Sequence, residues 1–256
     1  MKLERRYVEK PWGRTDLPSM FDSPEGRRIG EVWFTGDGDL PLLAKYIFTS
    51  ERLSIQVHPN DEQARARGLA NGKTECWYIL DAEPGSTIGL GFKGPLSEGQ
   101  LRDAALDGSI EELLDWRPVR PGDFLFVPAG TVHAIGGGLS LLEFQQNSDT
   151  TYRLYDYGRP RELHLDYGLA VALREPYPDA LAKHLSAGEQ TLVDGPHFTL
   201  IQARCDSLPD HRRWVLPIKG QGRSGAETAG PGECLLLEPG DTLESVDALM
   251  LIGARA

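Results

Sequence analysis

The stretch LSIQVHPNDEQ, residues 53–63, begins with the alternation of a half-buried strand and sets Gln56 and His58 two positions apart. Residues so spaced in a strand share a face. A carboxamide oxygen and an imidazole nitrogen side by side on an inward face are donors that could share one divalent ion. A further imidazole follows in PGDFLFVPAGTVHAIGGG. There a strand leaves Pro121-Gly122, a tight turn at Pro128-Ala129-Gly130 reverses the chain, and the next strand carries His133 inward. Singly, a buried His is usually a hydrogen-bonded core residue, and a buried Gln is satisfied by backbone. Their joint appearance with the turn is what argues for a site.

The spacing from Gly122 through Pro128 and Gly130 to His133, G-x5-P-x-G-x2-H, resembles the second signature motif of the cupin superfamily, whose small β-barrels hold a metal inside. An ordinary cupin opens with His-x-His followed closely by Glu. Here Gln56 takes the first position and His58 the second, and the acid comes only after a helical detour, in NGKTECWYIL, where Glu75 is the candidate. Two imidazoles, a carboxamide and a carboxylate form an N2O2 set that suits zinc, with iron or manganese also compatible. Cys76 adjoins Glu75 but faces the other way and reads as core packing. His164, His184, His197 and His211 lack such a context and read as surface or helix residues.

The elements that must position these residues are mostly strands. EVWFTG, KYIFTS, CWYILDAEPGS, DFLFVPAG, LSLLEFQQ, HFTLIQARC, RWVLPIKG and ECLLLEPGD recur between turn signals, which predicts a mainly β chain of sandwich or barrel type. Helical spacing appears in DEQARARGLA (61–70), in SEGQLRDAALDGSIEELLDW (97–116) with a break at Gly108, and in RELHLDYGLAVAL (161–173). PGDFLFVPAGT (121–131) also aligns without gaps on PGECLLLEPGD (231–241), and WYIL (77–80) resembles WVLP (214–217). Two copies of one β unit, the first carrying a helical insert, would produce this echo, although turn–strand–turn segments are generic. In the second copy Leu243 takes the slot of His133, so that copy lacks the ligand.

The 256 residues carry a net charge of −11, which argues against nucleic acid as a partner. An anionic substrate would be repelled at long range and would need a local basic cluster. No apolar run approaches the roughly 20 residues of a membrane helix. The N-terminal MKLERRYVEKPWG has no apolar leader segment, and three cysteines without CxxC spacing fit a reducing cytoplasm.

LSIQVHP, GKTECWYIL, VPAGTVHAIGGG and QQNSDTTYRLYD, with KPWG (10–13) before and RELH (161–164) after, resemble the type I phosphomannose isomerases in their short bacterial form, over roughly residues 8–175. KPWGR replaces the frequent KPWGG, and Gly137 replaces the cupin motif's terminal Asn. The resemblance implies two cupin-like jelly-roll barrels: a catalytic, metal-binding unit at 1–175 with its insert near 97–116, and a metal-free unit at 176–256. It implies a hexose phosphate substrate, interconversion of mannose 6-phosphate and fructose 6-phosphate, and one zinc held by Gln56, His58, Glu75 and His133. It places a catalytic arginine at Arg153 and an active-site lysine at Lys73. Glu143, ten residues after His133, is a candidate proton-transfer base, or else a structural partner of Arg153. An iron-dependent cupin dioxygenase and a non-catalytic sugar-phosphate-binding cupin are the alternatives; Gln56 argues against the first, and the intact Lys73, Glu75 and Arg153 against the second.

Overall fold

The computed structural model describes residues 1–22, 25–205 and 210–256. It is mainly β, built as three antiparallel sheets with short helices between them. The first sheet runs Glu4–Arg14, Ile29–Thr35, Leu42–Thr49, Leu139–Gln146, Glu75–Ala82, Asp123–Val127, Ala182–His184. The second runs Tyr152–Tyr155, Ile55–Val57, His133–Ile135, Thr87–Phe92, Leu114–Pro118. The third runs Gln190–Asp194, Phe198–Ala203, Glu244–Arg255, Arg213–Ser224, Glu227–Ala229, and Leu235–Leu237 also pairs with Arg213–Ser224.

The first sheet is covered on both faces, and this explains its sequence. Every residue of Leu42–Thr49 and Leu139–Gln146 is buried, so these strands read as nearly continuous apolar runs. One face, with Ile47, Trp77, Ile79, Val127, Leu139 and Leu141, packs with Ile88, Leu90 and Ile135 of the second sheet. The opposite face, with Tyr46, Cys76, Leu142 and Phe144, packs on Phe198, Leu200, Trp214 and Leu251 of the third. Cys76 is therefore core, its thiol pushed up by burial.

The helical segments form where they were read, trimmed by their own end signals. Asn60 caps Asp61–Arg65, and Ser97 caps Glu98–Asp107, each in a reciprocal capping box. Gly108, at φ 88, ends the second helix before the short turn Ile110–Leu113. The last candidate shrinks to Leu165–Val171.

The internal echo has a counterpart in the backbone. Gly122 and Gly130 flank Asp123–Val127 at φ 89 and 90, and Gly232 and Gly240 flank Leu235–Leu237 at φ 87 and 89. The pairing differs by one residue: Trp77 faces Leu125, whereas Trp214 faces Leu236.

Candidate metal centre and active-site cavity

His58 follows the strand Ile55–Val57, and Gln56 within it lies directly opposite His133. The Gly130 N–H donates to the His58 carbonyl at 2.8 Å, which fastens the predicted reversal of the chain beside His58. Each imidazole is oriented by a backbone acceptor: His58 Nδ1 is 2.9 Å from Thr150 O, and His133 Nδ1 is 2.9 Å from Thr131 O. A ring that spends its Nδ1 proton this way presents an unprotonated Nε2. Both Nε2 atoms turn toward Glu75, at 3.5 Å from Oε2 and 3.4 Å from Oε1. The donor atoms of the three residues lie within 4.8 Å of one another, all buried.

Burial is the largest influence on all three. It drives His58 down to about 3, helped by the Lys73 ammonium, and lowers His133 against the pull of Glu75. Burial also penalises the Glu75 charge, but Lys73, 2.7 Å from Oε2, together with His58 and His133 outweighs it and holds the carboxyl well below the usual range. The result is two neutral imidazoles and one carboxylate aimed at a common point. Glu75 Oε1 accepts no hydrogen bond there, a costly state for a buried anion unless a cation completes it. These residues fit a divalent ion. Gln56 adjoins these three: its amide nitrogen is 3.2 Å from His133 Nε2, and its oxygen accepts from Ser54 Oγ at 3.1 Å. A half-turn of the amide offers the oxygen to the centre while the nitrogen donates to Ser54.

Above this cluster lies a cavity of about 260 Å³. Gln56, Lys73 and Trp77 line it, and the first two reach the buried cluster, Gln56 at His133 and Lys73 at His58 and Glu75. Among the described residues, Arg6, Lys10, Lys45, Lys73, Arg153 and Arg161 bring six cations to the wall, against Glu31, Glu143 and Asp149. Strand periodicity places many of them. Glu143 lies opposite both Lys45 and Trp77 in the register, and Gln145 lies opposite Glu75. Charges of alternating sign then cross the sheet: Lys73 is 3.6 Å from Glu143, Lys45 is 3.0 Å from Glu143 and 3.4 Å from Glu31, and Lys10 is 3.2 Å from Glu31. Trp77 Nε1 donates to Glu143 and Trp33 Nε1 to Glu31, each at 2.9 Å.

No protein-family model matches the chain. Mannose-6-phosphate isomerase ManA of Bacillus subtilis strain 168 is 41% identical over 267 residues, spanning 85% of this chain and 84% of that protein. The chain belongs to the mannose-6-phosphate isomerase family. Among solved structures, the mannose 6-phosphate isomerase from Bacillus subtilis superposes with a TM-score of 0.81 at 27% identity, over 99% of this chain and 98% of that one. A mannose 6-phosphate isomerase bound with zinc and yttrium shares the fold, with a TM-score of 0.74 at 17% identity over 98% of each chain.

In this member of the mannose-6-phosphate isomerase family, Gln56 and Lys73 lie beside the cluster of His58, Glu75 and His133. Arg153 lines the same cavity, half-buried, directly opposite Gln56 in the second sheet. Its guanidinium Nη1 donates to Glu162 O at 3.4 Å. Glu143 is no partner of Arg153; the sheet gives it Lys45, Lys73 and Trp77 instead. Lys45, Glu31 and Arg161 escaped the sequence reading. The signal for the first two was a single charge inside the apolar runs LLAKYIF and IGEVWF.

Proposed function

We propose that the chain interconverts mannose 6-phosphate and fructose 6-phosphate, moving a proton between C1 and C2 through an enediol. The observation that carries this reading is the buried His58–Glu75–His133 cluster under a cavity walled by cations. Gln56, His58, Glu75 and His133 would hold one divalent ion, zinc as in the solved relative. A bound ion supplies Lewis acidity to the sugar's oxygens.

The chain's own residues do the rest. Lys73 presents its ammonium between Glu75 and Glu143, where it can donate to a sugar oxygen as negative charge develops on it. Arg153 can pair two oxygens at once, of the enediolate or of the phosphate. Glu143 is the carboxylate placed to carry the proton. Burial and the nearby Glu75 charge raise it above the ordinary range, and Lys45 and Trp77 fix its orientation. The wall cations supply the local positive field that a chain of net charge −11 needs to receive a phosphate.

The same reading keeps residues 1–175 as the metal-binding unit and 176–256 as a metal-free cupin-like unit. No helix among the described residues is long and apolar enough to cross a membrane. We place the enzyme in the cytoplasm on its cysteine spacing.

A coupled assay of fructose 6-phosphate formed from mannose 6-phosphate tests the proposal. Activity is expected to vanish on chelation and to return with zinc. Metal-free protein that still isomerises would contradict the metal's role. Loaded protein that binds the sugar phosphate without converting it would be a binding module instead.

A further inference from the structure

Asp156 is an acid that the reaction does not use, yet it is almost wholly buried, at 2% exposure, just past the strand Tyr152–Tyr155. Its carboxylate takes one edge of Arg161 in a two-point grip, Nε at 2.6 Å and Nη2 at 2.7 Å, and also meets Arg159 Nη2 at 3.1 Å. Arg159 is turned away from the cavity, donating to Arg52 O at 2.6 Å. Arg161 lines the cavity, and among the described residues its Nη1 has no hydrogen-bond acceptor. Arg153 lines the same wall, with no carboxylate of the described residues at ion-pair distance. Arg153 and Arg161 thus share one wall, and the buried acid beside them, Asp156, is already engaged by Arg161 and Arg159. Such an arrangement is repulsive until an anion joins it. A guanidinium gripped along one edge has little freedom left, so its remaining N–H groups are already ordered when the ligand arrives.

We propose that Asp156 is a positioning residue for substrate binding: it fixes Arg161 so that the uncommitted Nη1 side and Arg153 together receive the substrate's phosphate. The identity of that anion as a sugar phosphate rests on the isomerase reading. The grip itself does not.

The experiment uses the metal-loaded full chain and three variants, Asp156→Asn, Arg161→Lys and the double substitution. Two quantities are read: the affinity for inorganic phosphate by calorimetry, and KM against kcat for mannose 6-phosphate. Each single variant is expected to weaken phosphate binding by about tenfold or more and to raise KM in step, while kcat changes much less. The double variant should be little worse than Arg161→Lys alone, because the acid acts through the arginine. Wild-type phosphate affinity in Asp156→Asn would overturn the proposal, as would losses that multiply in the double variant. A fall in kcat with KM unchanged would also overturn it, leaving Asp156 a purely structural acid. Should Asp156→Asn fail to fold, Arg161→Lys decides: unchanged phosphate affinity refutes the anion contact. Phosphate affinity is read without turnover. A chain that never isomerises, yet loses phosphate on these substitutions, would sink the isomerase reading and support this one.

Discussion

Arg153 and Glu31 stand in the same cavity, and their surroundings give them different work. Among the described residues Arg153 has no acid at ion-pair distance; it touches none of the buried donors His58, Glu75 and His133 and lines the space a substrate would fill. Replacing it by Ala should leave metal content unchanged and lower turnover at least about a hundredfold, some 2.7 kcal/mol of barrier. Metal analysis beside steady-state kinetics checks this, and wild-type turnover would remove Arg153 from the reaction. Glu31, by contrast, is committed to the fold. Burial pushes its carboxyl up, but Lys45 and Lys10 more than reverse that and hold it at about 2. A carboxyl depressed on folding adds stability above its ordinary range, and that stability fades as pH falls toward the folded value. The full effect is at most about 3 kcal/mol. The stability advantage of wild type over Glu31→Gln should therefore be largest above pH 5 and shrink as pH is lowered from 5 toward 2. Denaturant unfolding at several pH values measures it, and an advantage independent of pH would refute the assignment.

The loop Gly72–Thr74 delivers Lys73 and Glu75, and its position is fixed by contact with the segment carrying His58. Lys73 N–H donates to Pro59 O at 3.0 Å, Gly72 N–H to Asp61 Oδ1 at 2.8 Å, and Thr74 N–H to Gln146 Oε1 at 2.9 Å. A methyl group on Gly72 would sit 2.5 Å from both Pro59 O and the Asn60 carbonyl carbon, backbone atoms with nowhere to go. Gly72→Ala should therefore cost about 1–3 kcal/mol of stability and displace Lys73 and Glu75 enough to weaken metal retention. Thermal unfolding with and without chelator reports both, and unchanged retention would show that the loop tolerates the shift. Element by element, the sequence was legible where one strand's chemistry is self-contained: Q-x-H, the turn before His133, and the apolar runs buried on both faces. Glu4–Arg14 was missed because it is an edge strand. ERRYVEKPWGR puts charges toward the cavity and solvent and carries a proline, so it shows no strand-like alternation. The Lys45–Glu31 pairing was unreadable for another reason. It depends on Leu42–Thr49 lying beside Ile29–Thr35 and Leu139–Gln146, and the second of these is 90 or more positions away in the chain.

At the scale of the whole molecule, the two expected units exchange strands across the position where a boundary at 175 would fall. Ala182–His184 closes the edge of the first sheet by pairing with Asp123–Val127. In the other direction the first residues of the chain reach the third sheet. Met1 N and Leu236 O are 2.8 Å apart, as are Leu236 N and Met1 O, and Leu3 N–H donates to Cys234 O at 2.9 Å. Lys2 pairs with Glu233 at 2.8 Å, and Leu3 is buried at 4% exposure. Between these exchanges lies one apolar cluster shared by Phe48 and Phe144 of the first sheet with Phe198 and Trp214 of the third. Neither sheet can leave without exposing the other's core, so the units should unfold together. Near-UV signals from the buried Trp77 and Trp214 and far-UV signals from the strands should share one midpoint. Removing Met1–Leu3 unburies a leucine and breaks the three backbone bonds, at a cost of about 2 kcal/mol or more, and should move both signals by the same amount. If the truncated chain instead lost the signals in two separate steps, the units would be independent, and the strand exchange would be a seam between them.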